Sequence, residues 1–323
     1  MRRLTLLTTA ASAILLAACE TAGTAADLDE AVAEAPPAET AETETAPEAV
    51  ADTAETEAKP AMTSAEKLSA ILAAQPDDVR ARYDARNPAE TLTFFGIEPG
   101  MTVAEALPGR GWYTKILLPY IGPEGEVVGA QYPSEIWPMF GMDEENTQAR
   151  VEAANNWTTT VSEWGIDGAA PVSSYEMTRA SGDMAASLDA VLFIRALHNL
   201  NRFNPDTGWF DETLAETYTL LKPGGVVGVV QHRSPEANAD DWADGSSGYV
   251  KETLIVEAFE TAGFVLEAKS ETNANPKDVP TEEDFVWRLP PSLGNTEEGT
   301  PDRAAFEAIG ESDRMTLLFR KPV

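Results

Sequence analysis

From Met101 to the C-terminus, apolar runs too short for buried helices alternate with longer stretches of helical spacing. The runs fall at 101–106, 126–130, 171–175, 188–194, 226–230, 264–269 and 315–320. Turn residues punctuate them: Pro99-Gly100 before the first, Gly122-Pro123-Glu124-Gly125 before the second, and Lys222-Pro223-Gly224-Gly225 before the fifth. Between them lie helical patterns such as 143–155 and 252–262, the latter stopped by Gly263. Strands that alternate with helices build a mostly parallel sheet with helices on both faces, so the chain reads as a doubly wound α/β sandwich of seven strands. Upstream, Leu68, Ile71 and Leu72 mark a helix, Pro76 and Pro88 punctuate short ones, and Phe94-Phe95 closes another at Gly96. Asp77, Arg80, Asp84 and Arg86 read as a solvated helical charge face. Residues 63–323 thus form one domain, with a long insertion at 271–312 between the last two strands. Trp287 and Arg288 make that insertion a lid or a solvated excursion.

The first 62 residues follow a different logic. Arg2 and Arg3 precede a short apolar stretch ending at Leu16-Ala17-Ala18-Cys19, which reads as a signal peptide, 1–19, too short to span a bilayer. Cys19, the only cysteine, sits where the bacterial lipobox places its acylated residue. This predicts a lipid-anchored protein of the bacterial cell envelope, facing the periplasm. A lone cysteine also excludes an internal disulfide or a multi-cysteine metal site, and no metal is expected. Residues 20–62 are almost entirely Ala, Glu, Thr, Pro and Asp without an aromatic, a composition that cannot offset the entropy of ordering; they read as a disordered acidic tether. Of the formal charge of −31, −11 falls on residues 20–60 and −22 on the body from Ala61 onward. Such a surface repels a phosphate backbone, which excludes a nucleic-acid binder.

The loop after the first strand reads Glu105-Ala106-Leu107-Pro108-Gly109-Arg110-Gly111-Trp112-Tyr113-Thr114. Two glycines between an apolar strand and a helix let the backbone approach a ligand closely, although a plain tight turn has the same pattern. This loop, the segment Leu188 to Leu200, and Leu221-Lys222-Pro223-Gly224-Gly225 share the order and spacing of class I S-adenosylmethionine-dependent methyltransferases, which the body resembles from Pro88 onward. Phe94-Phe95-Gly96, Pro99-Gly100-Met101-Thr102-Val103, Pro108-Gly109, Gly111-Trp112-Tyr113-Thr114, Trp287-Arg288-Leu289-Pro290-Pro291 and Asp313-Arg314-Met315 resemble more closely a bacterial group of exported methyltransferase-like proteins.

The resemblance implies a Rossmann-like seven-stranded methyltransferase sandwich and S-adenosylmethionine as cofactor. It assigns Glu105, Pro108, Gly109, Arg110 and Gly111 to the cofactor loop, with Trp112 and Tyr113 either lining the pocket or packing helix to sheet. Gln131 stands where the superfamily has the ribose-holding carboxylate, and Leu107 where it has a first glycine. Arg195, Ala196 and Leu197 match the end of the fourth strand, which faces cofactor and acceptor in that superfamily. His198 and His232, the only histidines, follow strands four and five and are candidates for a base or acceptor-orienting role, with packing or helix capping as the alternative.

Two functions follow from these residues. One is methyl transfer from S-adenosylmethionine to a small-molecule or envelope acceptor. The other is a non-catalytic binding lipoprotein on the same fold. A dinucleotide oxidoreductase fits less well, because the third glycine of that fingerprint and an acidic residue after strand two are both missing.

Overall fold

A computed structural model describes residues 62–323. The 1–19 leader with Cys19, and all but the last residue of the 20–62 segment, lie outside the described residues. Among the described residues no helix is long and apolar enough to cross a membrane.

The strands are β1 (Thr102–Ala106), β2 (Glu126–Gln131), β3 (Val172–Glu176), β4 (Leu188–Ile194), β5 (Leu221–Ser234), β6 (Val250–Lys251), β7 (Val265–Ser270) and β8 (Arg314–Arg320). Seven of them form a continuous sheet in the order β3-β2-β1-β4-β5-β8-β7. β3, β2, β1, β4 and β5 run parallel, while β8 lies antiparallel between β5 and β7. The doubly wound sandwich expected from the alternating pattern, Rossmann-like as the resemblance implies, is the fold observed.

Two differences from the sequence reading concern β5. The turn Lys222-Pro223-Gly224-Gly225 does not precede the strand but interrupts it, since pairing jumps from Leu188↔Leu221 to Ala190↔Val226. The two-residue β6, absent from the sequence reading, pairs in parallel with Arg233 and Ser234 at the far end of β5.

Successive side chains of a strand point to opposite faces, and the core divides accordingly. Ala104, Val128, Val191, Phe193, Val227 and Phe319 face the helices Leu197–Thr207, Trp209–Leu220 and Glu252–Thr261, which contribute Leu200, Phe203, Phe210, Leu214, Ile255 and Phe259. Val103, Val127, Ala190, Leu192 and Val230 face the other layer, where Leu68, Leu72, Leu92, Ile116 and Leu117 come from the helices Ser64–Ala74, Pro88–Phe94 and Thr114–Ile121. Covered on both faces, the central strands need apolar residues at nearly every position, which is why they read as continuous runs.

The strand order reverses between β1 and β4. In open sheets of this kind that reversal opens a crevice at the carboxyl ends of the strands. The antiparallel β8 brings its own beginning to the same edge, with Arg314 opposite His232.

Candidate functional site

The loop leaving β1 is held in a conformation that favours glycine. Leu107, Gly109 and Gly111 have φ of 49°, 56° and 72°. Leu107 tolerates this because its N–H donates to Ala130 O on β2 at 2.7 Å, and Gly111 N–H closes the turn on Pro108 O at 2.8 Å. A Cβ on Gly111 would meet the Trp164 indole at 2.2 Å, whereas one on Gly109 would face only Leu107 O at 3.8 Å. Gly111 is therefore required by packing. Gly109 and Arg110 are exposed at the tip, where backbone can approach a ligand, while Pro108 is buried beneath them.

Trp112 and Tyr113 point away from the tip and tie the loop to the N-terminal helices. The Trp112 indole N–H donates to Val79 O at 3.3 Å and the Tyr113 hydroxyl to Arg86 O at 3.2 Å.

Glu105 is buried just inside the end of β1 and accepts the Thr114 hydroxyl at 2.6 Å. Burial pushes its carboxyl up to about 8 against the pull of that hydrogen bond and of the Arg195 guanidinium, so at neutral pH the group is mostly uncharged. Gln131, at the end of β2, is nine-tenths buried and its Nε2 has no hydrogen-bond partner among the described residues. It lines a cavity of about 160 Å³ beyond β2 and β3, together with Tyr132, Ser134, Trp137, Tyr175 and Glu176. A buried amide without an acceptor is costly unless a ligand or water supplies one.

The β4 end divides by residue. Arg195 is half-buried, has φ 59°, and is fixed by its N–H to Val230 O at 2.6 Å. Ala196 and Leu197 are core residues; the Ala196 carbonyl takes the Tyr132 hydroxyl.

His198 and His232 meet, with ring centroids 5.6 Å apart, yet both are less than a tenth exposed. Trp287 from the 271–312 insertion packs edge-on to His198 at 5.9 Å, and Tyr249 lies 6.2 Å from His232. Burial, opposed by the Gln231 hydrogen bond, takes His198 down to about 4, and burial also holds His232 well below the usual range, with His198 and Arg314 adding to the effect. Both rings are neutral near pH 7. His232 Nδ1 lies 2.5 Å from the Ser312 hydroxyl, which also accepts Arg314 Nε–H at 3.2 Å. If Ser312 donates to Nδ1, all three groups are satisfied and the His232 proton sits on Nε2.

The largest departure from the sequence reading is Arg86. Read as part of a solvated charge face, it is 5% exposed, because its guanidinium stacks 4.5 Å over Trp112 and faces Glu311. Glu311 pairs with Arg82, Arg86 and Arg314 together; burial opposes its ionisation, but Arg314, Arg86 and Arg82 hold its carboxyl down at about 2. No local signal marks this cluster: Glu311 reaches it because β8 runs antiparallel and brings the polar stretch before it to the edge where the parallel strands end.

No protein-family model matches the chain, and no curated protein does. Solved structures resemble it at low identity. The [4+2]-cyclase SpnF is 16% identical, with 74% of this chain and 81% of that chain covered and a TM-score of 0.47. A SAM dependent methyltransferase from Aquifex aeolicus is 15% identical over 79% of this chain and 98% of that one, TM-score 0.46. Geranyl diphosphate C-methyltransferase from Streptomyces coelicolor A3(2), in complex with S-adenosyl-L-homocysteine, is 14% identical over 78% and 87%, TM-score 0.46. These likenesses are of fold alone.

Proposed function

We propose that the body is an S-adenosylmethionine-dependent methyltransferase, tethered to the cell envelope through Cys19 and acting on a small-molecule or envelope acceptor. The observation that carries this reading is the unpartnered Gln131 Nε2, buried at the end of β2 beside a cavity and one strand away from the Gly109 loop. An amide there can donate to a ribose hydroxyl, though more weakly than a carboxylate would accept from one. The residues present therefore fit the cofactor: the Gly109-Arg110-Gly111 backbone would hold the amino-acid portion and Gln131 would hold the ribose.

When bound, the cofactor supplies an electrophilic methyl group on a cationic sulfur. The protein's part is to position and desolvate the reacting groups, since in-line displacement needs no covalent protein nucleophile. A cation beside Glu105 would draw that carboxyl toward its ionised form. The neutral rings of His198 and His232 can accept or relay a proton, provided the acceptor or a movement of Trp287 gives access to them. Their present burial favours the second reading, a binding lipoprotein without turnover.

Calorimetry of the full chain with S-adenosylmethionine and S-adenosylhomocysteine tests the assignment. Micromolar binding that Gly109→Val abolishes is the expected result; no binding at millimolar ligand overturns it. Binding without methyl transfer to any component of an envelope extract would leave the non-catalytic reading in place.

A further inference from the structure

The guanidinium groups of Arg82, Arg86 and Arg314 meet around Glu311 at the carboxyl edge of the sheet, and Arg195, at the end of β4, lies within the field of all three. Among the described residues Glu311 is the one carboxylate that pairs with any of them, and it is shared by Arg82, Arg86 and Arg314. Among the described residues Arg195 has no ion pair or side-chain hydrogen bond, and the Glu105 carboxyl within its field is kept mostly uncharged by burial. Arg314 is spent on its own surroundings, donating to Ser312, Ala85 and Glu311. The Arg195 fork is wholly unpaired among the described residues, and Arg86 Nε, buried without a hydrogen bond, only faces Glu311 Oε2 at 3.6 Å, a carboxylate it shares with two other arginines.

Positive charge left uncompensated inside a protein is costly, and more conspicuous in a body that carries an excess of acidic residues. Arg195 also sits at φ 59°, an unusual conformation for a residue with a side chain, at the carboxyl end of β4 beside the strand-order reversal. A planar guanidinium in that position suits two-point recognition of an oxyanion.

We propose that Arg195 and Arg86 form an anion subsite that takes a carboxylate or phosphate group carried by the methyl acceptor. The assignment to the acceptor rests on the methyl-transfer reading of the cleft, whereas the anion subsite itself does not. The acceptor is then an anionic molecule, docked by its charged group against Arg195 while its reacting atom faces the Gly109 loop. Attraction to this local charge operates within a surface that otherwise repels anions, which confines productive docking to the cleft.

The test is titration of the full chain with inorganic phosphate and, separately, acetate, at constant ionic strength, following the ligand-dependent rise in Tm and confirming affinity by calorimetry. Arg195→Gln removes no ion pair among the described residues and keeps a polar side chain, so it is expected to fold; Arg86→Gln serves as the second variant. Expected is saturable binding of one or both anions, weakened at least tenfold in Arg195→Gln and recovered in part by Arg195→Lys, with S-adenosylhomocysteine affinity within twofold of the parent. Preference for phosphate or for acetate identifies the group the acceptor carries. Absence of saturable anion binding overturns the proposal, as does binding unchanged in both Gln variants. A parallel tenfold loss of S-adenosylhomocysteine affinity also overturns it, since the arginines would then be holding the cofactor. Anion binding that depends on Arg195 in a chain that ignores S-adenosylhomocysteine sinks the methyl-transfer reading and leaves the subsite standing.

Discussion

Arg86 and Glu311 pair across the molecule, Nε to Oε2 at 3.6 Å, with both side chains less than a tenth exposed. The contact joins the short helix Tyr83–Arg86 to the end of the 271–312 insertion, and Arg82 and Arg314 complete it. Glu311 is thus the hub of the carboxyl edge.

Glu311→Gln should be among the more damaging single substitutions in the body. It leaves three guanidinium groups facing one another without their counter-charge, and removal of one partner from a buried ion cluster typically costs about 3–5 kcal/mol. Urea denaturation should show this as a lowered midpoint with an unchanged slope. A loss under about 1 kcal/mol would mean that the cluster is solvated and not a buried hub.

Glu105 makes a prediction about pH. Its folded-state value of about 8 lies above its ordinary 4.5, so the native state binds the proton more tightly than the unfolded chain. The stability it contributes is fully present below pH 4.5, falls as pH rises, and is gone above about 8. Glu105→Gln cannot titrate, so the parent should lose stability relative to this variant by on the order of a few kcal/mol between pH 5 and 8. His198 runs the other way: with its folded value depressed from 6.5 to about 4, its contribution is present above 6.5 and lost as pH falls through 4. Comparing the two proteins at each pH removes that shared histidine effect. A parent-to-variant difference that is flat from pH 5 to 8 would show that Glu105 is solvated.

How legible all this was depended on the range of the interactions. β4 was readable to the residue as Leu188–Ile194, because a strand covered on both faces must be apolar throughout and its ends are set by local turns. That the site candidates share one edge was readable for a related reason: Glu105 and Gln131 lie at the ends of β1 and β2, Gly109 and Arg195 follow β1 and β4, and strand ends converge in a doubly wound sheet. Arg86 was not readable. Its local sequence, with alternating Asp and Arg, matches an ordinary exposed helix, and what buries it is Glu311 from the far end of the chain and the Trp112 ring. β6 escaped for a related reason, since two residues carry no period and exist as a strand only because the end of β5 is there to pair with them.

The two loop glycines should behave differently. Gly111→Ala places a methyl group 2.2 Å from the Trp164 ring at φ 72°, combining left-handed strain with overpacking at roughly 2–4 kcal/mol. Gly109→Ala meets only Leu107 O at 3.8 Å and should cost about 1 kcal/mol, the conformational penalty alone. Thermal melts of the two variants check the contrast; equal losses would mean that the Trp164 indole moves aside freely.

Asp278 predicts how firmly the insertion is seated. Its carboxylate accepts the Tyr249 hydroxyl at 2.9 Å, Arg288 Nη2 at 3.1 Å and the Asp313 backbone N–H at 2.9 Å. These bonds clamp the middle and the end of the 271–312 stretch to the residue next to β6, and they hold Trp287 against His198. The stretch is therefore a fixed wall over the histidines in this state, and a lid only if the clamp opens. Asp278→Ala leaves Asp284, at 3.0 Å, as the one carboxylate on the buried Arg288 and removes the acceptor of the Tyr249 hydroxyl, which then keeps only the Arg288 Nη1 donor at 2.9 Å. Amide hydrogen exchange should then accelerate within 271–312 by a hundredfold or more while β1 and β4 keep their protection, because the sheet core does not depend on the clamp. Uniform acceleration across both regions would show instead that the insertion and the sheet unfold as a single unit, and that access to His198 requires global opening.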